Sequence, residues 1–343
     1  MKACVIHAAH DVRLDSLDER ALEPDEVRLN FGFGGVCGSD IHYFLHGRVA
    51  DSIVRAPMIL GHEFTGVVAE IGSAVSGLAI GDKVAVNPAR PCGDCAYCRK
   101  GVTNLCTSMR FMGSAAFSPH ENGGFAERPV VSARQCIRLS EDADLRHVAM
   151  SEPFAVALHA VAQAGDLAGR SVLVSGAGVI GQLVAVAARR AGAGAITMTD
   201  VSDAALARAA DLVADRTVNV GNAAAAETLA SSPAFDAVFE ASGTAPAFNL
   251  ALAAARPQST IVQVGFLPPA SPLDLAKLLT RELLVRGAYR FVDEFEVAVR
   301  AITGGEVDLR PLITATCTLE APDEVFARAT DKTCNAKVMV TFS

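Results

Sequence analysis

Residues 171–181, Ser-Val-Leu-Val-Ser-Gly-Ala-Gly-Val-Ile-Gly, constrain the fold more than any other stretch of the chain. A β-branched apolar run feeding a G-x-G-x-x-G turn and then an Ala-rich segment reads as strand, phosphate loop and helix. Gly176 permits the tight turn, Gly178 lets backbone N–H groups approach a pyrophosphate, and Gly181 permits close helix–strand packing. Val179 and Ile180 open the helix, whose N-terminus carries a partial positive charge where phosphates would sit. Gly-rich turns of this kind also arise for packing alone. Here a second apolar run, Ala195–Thr199, ends at Asp200. An acid about 20 residues past the loop is where the ribose hydroxyls of a dinucleotide are held. Asp200 would repel a 2′-phosphate and Val201-Ser202-Asp203 offers no arginine to receive one, so NAD is favoured over NADP.

The surrounding pattern extends this unit. Strand-like runs at 172–175, 195–199, 217–219, 236–240, 260–265 and 284–287 alternate with Ala-rich segments long enough for helices. That alternation gives a doubly wound parallel sheet, the Rossmann arrangement, over 170–288. Residues 1–147 instead carry short β-type runs (26–33, 65–71, 83–87) broken by Gly, Pro and Asp, which predicts a twisted β-rich module. Past 289 the pattern changes again, to one helix at 295–303 and strands at 317–319 and 337–342. A chain of 343 residues accommodates two such domains. A formal net charge of −8 argues against nucleic acid or an anionic membrane as partner. No run approaches the ~20 apolar residues of a membrane span, and Met1-Lys2-Ala3-Cys4 does not begin a signal peptide. The cytoplasm is the expected compartment, where nine cysteines point to metal or catalytic use before disulfides.

Four stretches of the chain carry the chemistry. Cys37-Gly38-Ser39-Asp40-Ile41-His42-Tyr43 packs a thiol, a hydroxyl, a carboxylate and an imidazole into one short Gly-flanked run. Gly61-His62-Glu63 sets His beside Glu after an apolar run. Each alone reads as ordinary core; together they supply the S, N and O donors that zinc takes. Cys92, Cys95, Cys98 and Cys106, at C-x-x-C-x-x-C-x7-C in a Gly-rich loop, can close a tetrahedral structural zinc with no open position. A redox pair would need one C-x-x-C beside a helix, and a nucleic-acid knuckle more positive charge than Arg90, Arg99 and Lys100 provide. Glu152, before Pro153 and an amphipathic run, reads on its own as a helix-start carboxylate.

Taken together, C-G-S-D-x-H, then G-H-E, then a four-Cys lobe, then the Gly176–Gly181 loop resemble the zinc-dependent medium-chain alcohol dehydrogenases. Within them the chain is most similar to the sorbitol and polyol dehydrogenase branch. Finer matches at Met109–Ala115, Pro119-His120, Gly123-Gly124-Phe125, Ala288–Phe291 and Asp331-Lys332-Thr333 resemble the L-idonate 5-dehydrogenases of that branch. The resemblance implies a GroES-like catalytic domain at 1–147, completed by 289–343, joined to the Rossmann domain at 148–288. It implies Cys37, His62 and Glu152 at a catalytic zinc, with Glu63 also in that shell and the resting-state choice between the two carboxylates open. It puts Val264 and Gly265 near the nicotinamide and Lys337 near the pyrophosphate, the plain reading of Lys337 being an exposed lysine.

The implied reaction is reversible oxidation of a secondary alcohol, by alkoxide formation at zinc and hydride transfer to the nicotinamide. Ser39 would take the alcohol proton and His42 would pass it to water. For a sugar acid, Arg110 and Arg290 are the candidate carboxylate partners, since Arg pairs with a carboxylate in two parallel bonds. Tyr43 and Phe111 are candidate pocket walls or core. The expected substrate pair is L-idonate and 5-keto-D-gluconate; sorbitol or xylitol is the alternative within the class. A non-catalytic nucleotide-binding protein is the alternative outside it, and it should have lost a zinc ligand or the relay serine. Family members of this kind are homodimers or homotetramers, with Val285 a plausible interface residue.

Overall fold

The structure is a computed structural model describing residues 1–342. It divides into two compact units, one of Met1–Glu152 with Phe295–Ser343, the other of Pro153–Glu294. These divisions fall a few residues beyond 147/148 and 288/289, because the helix Ser151–Ala164 runs through the first crossing and the helix Glu294–Thr303 through the second.

In the first unit a seven-stranded sheet runs Cys136–Arg138, Lys83–Val86, Glu63–Ile71, Glu26–Gly35, Lys337–Thr341, Ile313–Thr318, with Val130–Ser132 paired to Glu26–Gly35. The C-terminal strand Lys337–Thr341 therefore completes a sheet begun by the N-terminal half, pairing Met339 with Gly35. Alternation within Glu26–Gly35 sends Val27 and Leu29 into a core with Phe64, Val68, Val84 and Val86. A second core gathers Val5, Ile6, Met58, Leu60, Phe125 and Phe326.

The β-rich expectation for this unit needs correcting at two places: Pro322–Thr330 form an α-helix, and so do Gly38–His46. Its start is a cap, in which the Asp40 carboxylate accepts the Cys37 N–H at 2.9 Å. Gly47, at φ 64°, ends it.

The second unit holds a parallel six-stranded sheet in the order Arg216–Asn219, Ala195–Asp200, Ser171–Ser175, Phe235–Glu240, Ala255–Gln263, Leu284–Gly287. The order reverses beside Ser171–Ser175, which makes the carboxyl ends of that strand and Phe235–Glu240 a topological switch point. Ser202, Asn222 and Thr244 cap the intervening helices through their side-chain oxygens. Leu173, Val238, Ile261, Leu252 and Phe248 form the core beneath. The doubly wound expectation holds, with strand ends shifted by a few residues.

Candidate active site

Cys37 sits at the cap of the helix Gly38–His46, so the capping carboxylate of Asp40 fixes its backbone. Asp40 is fully buried and also accepts the Gly61 N–H at 3.3 Å, while the ring nitrogen Nδ1 of His62 lies 3.9 Å away. One carboxylate thus sets the two loops that carry Cys37 and His62. Gly61 adopts φ 90°, and a Cβ there would lie 2.2 Å from the Phe125 ring. Only glycine lets the chain pass that ring and present His62. The Phe111 ring packs on the imidazole at 5.6 Å between centroids.

Glu63 follows directly, at the start of the strand Glu63–Ile71. The ligand atoms of Cys37, His62 and Glu63 all lie within 4.8 Å of one another. Glu152 does not meet that distance, although it is buried and acts electrostatically on His62, Glu63 and Cys37. Lys337 is 3% exposed, forms an ion pair with Glu63 and donates to the Val36 carbonyl at 3.1 Å. A Cβ on Gly35 would lie 2.3 Å from Glu63 and 2.6 Å from the Lys337 side chain. The exposed-lysine reading of Lys337 is therefore corrected: strand pairing draws it inward to a carboxylate.

The electrostatics call for a cation. Burial, then Glu63 and Cys37, raise the Glu152 carboxyl to about 8, against the opposing effect of His62. Burial and Glu63 push the Cys37 thiol up to about 12. Burial lowers the Lys337 ammonium, but Glu63 and Cys37 more than reverse this, and its pKa is raised. One lysine faces three acidic groups in a desolvated site. His62 Nδ1 and Glu63 Oε1 are buried without a hydrogen-bond partner. A thiolate, an imidazole and carboxylates around orphaned polar atoms fit a zinc ion.

The four-cysteine lobe fits a second. The Sγ atoms of Cys92, Cys95, Cys98 and Cys106 also lie within 4.8 Å of one another, and all four are free thiols. Backbone N–H groups point at sulfur: Cys92 to Cys106 Sγ at 3.3 Å and Cys98 to Cys95 Sγ at 3.4 Å. Backbone donors from Cys98 and Thr107 lower the Cys95 thiol to about 5.

Ser39 is half-buried beside the Cys37 thiol, to which its hydroxyl bonds. His42 lies one turn on along the same helix, exposed, with the His46 ring 5.6 Å away. Burial, then His46 and Lys332, hold its imidazole below the ordinary value.

Among the substrate candidates, Tyr43 is a core residue whose hydroxyl accepts the Ala115 N–H at 3.0 Å. Phe111 is buried against His62. Arg110, its neighbour on the strand Arg110–Phe111, pairs with Glu121 and stacks on Phe117 at 5.2 Å. Arg90 shares Glu121 at 2.7 Å. Arg110 lines a cavity of about 420 Å³ with Arg28, Arg90, His120 and Glu121, and that lining includes none of Cys37, His62, Glu63 or Glu152. Arg290 belongs to the second unit, in the left-handed region at φ 54°, its guanidinium 4.9 Å from the Tyr289 ring centre.

In that unit the Gly loop is shaped as a phosphate cradle. A Cβ on Gly181 would lie 1.8 Å from the Gly176 carbonyl, whereas one on Gly178 would meet nothing within 4 Å. Gly178 caps the helix Val179–Arg190 without a side-chain bond, leaving Val179 and Ile180 at an open N-terminus. The Ala177 N–H donates to Asp200 Oδ2 at 2.7 Å and those of Val201 and Ser202 to Oδ1 at 2.8 and 2.9 Å, so Asp200 also fixes the loop. The carboxylate keeps lone pairs for a ribose. Val264 and Gly265 are half-buried, and both donate to the Glu240 carbonyl. Sequence reasoning missed Glu240 itself, a fully buried acid whose signal was a carboxylate closing the apolar run Ala237–Phe239.

Family models agree with this geometry. An alcohol dehydrogenase GroES-like domain matches residues 23–141, and a zinc-binding dehydrogenase domain matches 179–304. The chain belongs to the zinc-binding alcohol dehydrogenases. L-idonate 5-dehydrogenase (NAD(P)(+)) of Escherichia coli K12 is 40% identical over 309 residues, 90% of each chain. Its crystal structure superimposes with a TM-score of 0.94 at 36% identity, covering 99% of this chain and 98% of that one. Sorbitol dehydrogenase of Gallus gallus is 32% identical, covering 94% of this chain and 92% of its own. This zinc-binding alcohol dehydrogenase thus has both sugar-acid and polyol enzymes among its relatives, and the four-Cys lobe lies within the span of the GroES-like match.

Proposed function

We propose that this dehydrogenase interconverts L-idonate and 5-keto-D-gluconate, using NAD in preference to NADP. The observation that carries the catalytic reading is the Cys37–His62–Glu63 donor group, whose His62 and Glu63 are buried beside the buried Glu152 and Lys337, a constellation costly to bury without a cation. The sugar-acid reading rests on the 40% identical relative, and the preference for NAD on Asp200.

Cys37, His62 and either Glu152 or Glu63 would hold the catalytic zinc, and Cys92, Cys95, Cys98 and Cys106 a structural one. A zinc ion there would supply Lewis acidity toward the substrate hydroxyl, and NAD a hydride acceptor. The chain's own residues do the rest. Asp40 keeps Cys37 and His62 in register. Ser39 Oγ receives the hydroxyl proton, and His42, neutral at physiological pH, conveys it to solvent. Gly176, Gly178 and Gly181 let the open helix N-terminus face the pyrophosphate, with Lys337 assigned near it by family position. Val264 and Gly265 border the nicotinamide.

Carboxylate recognition is assigned to Arg110 and Arg290, and Arg110 would have to share its guanidinium with Glu121. Substitution of each by Ala, assayed on L-idonate and sorbitol, tests this. The variant that removes the clamp should lower kcat/KM on L-idonate more than on sorbitol, by 10-fold or greater, since a charge-assisted bond is worth roughly 1.5–3 kcal/mol. Equal losses on both substrates for both variants would remove the clamp and favour the polyol reading, which the chicken sorbitol dehydrogenase supports.

The strand Leu284–Gly287 closes the second sheet with all four residues exposed, Leu284 and Val285 among them. An exposed apolar edge invites pairing with a second copy, so a homodimer or a tetramer built on it is proposed. Val285→Lys should yield a smaller species by light scattering; an unchanged mass would rule out this edge.

A further inference from the structure

Glu240 ends the strand Phe235–Glu240 and is 0% exposed. Its Oε1 accepts the Ser242 N–H at 2.8 Å, the Ser242 hydroxyl at 2.5 Å and the Gly243 N–H at 3.1 Å. Its Oε2 accepts the Gly243 N–H at 3.1 Å and Gln263 Nε2 at 2.6 Å. Its backbone carbonyl accepts from Val264 and Gly265 at 2.8 and 2.9 Å. One residue therefore binds the loop 241–243 to the loop 264–265.

The Gly loop joins them. A Cβ on Gly176 would lie 2.8 Å from the Ser242 nitrogen. One on Gly265 would lie 2.3 Å from the Gly243 nitrogen and 3.1 Å from Glu240 Oε2. So the loops after three neighbouring strands pack together at the switch point, two of them on a single carboxylate, where ligands of open α/β sheets bind.

These partners of the side chain are all neutral donors. Donors face both oxygens, a set that a carboxylate accepts in full and that a glutamine, with an NH2 in place of one oxygen, would not. A charge held at such a place acts on whatever binds beside it. The oxidised nicotinamide ring is cationic, and accepting a hydride makes it neutral.

We propose that Glu240 is a positioning residue for the nicotinamide loops and that its buried charge strengthens binding of the oxidised cofactor relative to the reduced one. This rests on the assignment of Val264 and Gly265 to the nicotinamide, and through it on the NAD reading.

The test is calorimetric titration of the full-length protein with NAD+ and with NADH, for the wild type and three variants, with no substrate present. Glu240→Gln should raise the Kd for NAD+ relative to that for NADH on the order of tenfold, the scale of one charge acting at short range in protein. Gln263→Leu keeps the charge and removes one donor, so it should weaken both cofactors equally. Gln263→Lys sets a cation against Glu240 and should shift the ratio as Glu240→Gln does; it carries the test should the first variant not fold. A merely structural role moves both affinities together. An unchanged NAD+/NADH ratio in both Glu240→Gln and Gln263→Lys overturns the proposal alone. A wild type that binds neither cofactor overturns the NAD reading as well.

Discussion

Asp40 shows how much one residue can organise. It touches no substrate in this account, yet its carboxylate fixes both the Cys37 cap and the Gly61 turn. Losing an outer-shell partner of this kind typically costs 10–100-fold in metal affinity. Asp40→Ala should therefore lose zinc from the catalytic group in competition with a chelator while keeping the four-cysteine site, as read by metal content per chain. Retention of both ions would place Asp40 in a purely structural role. The contrast is Arg110, chosen from sequence as a carboxylate partner and held by an acid of its own chain, Glu121.

At the scale of elements, the Gly loop and the helix Gly38–His46 carry separate predictions. Gly181→Ala drives a Cβ into the Gly176 carbonyl. Overpacking of this sort costs about 1–3 kcal/mol, so urea unfolding should show a lower midpoint and NADH fluorescence titration a weakened site. Intact cofactor binding would show that the loop tolerates what its geometry forbids. On the helix, His42 must be neutral to receive a proton, and burial, His46 and Lys332 hold its pKa below 6.5. As pH falls through that lowered value the imidazole is protonated and the relay stops, so the acid limb of kcat/KM should lie below pH 6.5. Lys332→Gln removes one of the cations opposing protonation and should move the limb upward. A limb that stays in place would separate His42 from the relay.

What was legible in the sequence follows from distance along the chain. The loop at 176–181 and the cysteines at 92–106 are local patterns whose geometry is set by their own residues. The helix after Cys37 was missed because glycines on either side read as a turn, although Asp40 three residues past Cys37 is a capping signal. Lys337 and Glu63 meet only because the C-terminal strand inserts beside Glu26–Gly35, a pairing no local pattern announces. Glu240 was hidden for the same reason: its meaning comes from Gln263 and Gly243, which the parallel register and a turn bring to it.

For the whole molecule, the account predicts two zinc ions per chain with different duties, matching the two donor groups. The lobe around Cys92–Cys106 has few buried apolar residues, so metal and fold are coupled there. Cys95→Ser should lower the zinc content toward one and reduce thermal stability, while catalytic zinc remains. Unchanged stability would mean the lobe holds itself together.

The central claim is that this zinc-binding dehydrogenase acts on a sugar acid with NAD. Initial rates of the zinc-loaded protein on L-idonate, sorbitol and xylitol, each with NAD and with NADP, test it most directly. The account predicts the highest kcat/KM for L-idonate with NAD, by 10-fold or more over either polyol, the scale of one charge-assisted bond to the carboxylate. Equal or greater rates on sorbitol or xylitol, or a preference for NADP, would contradict it.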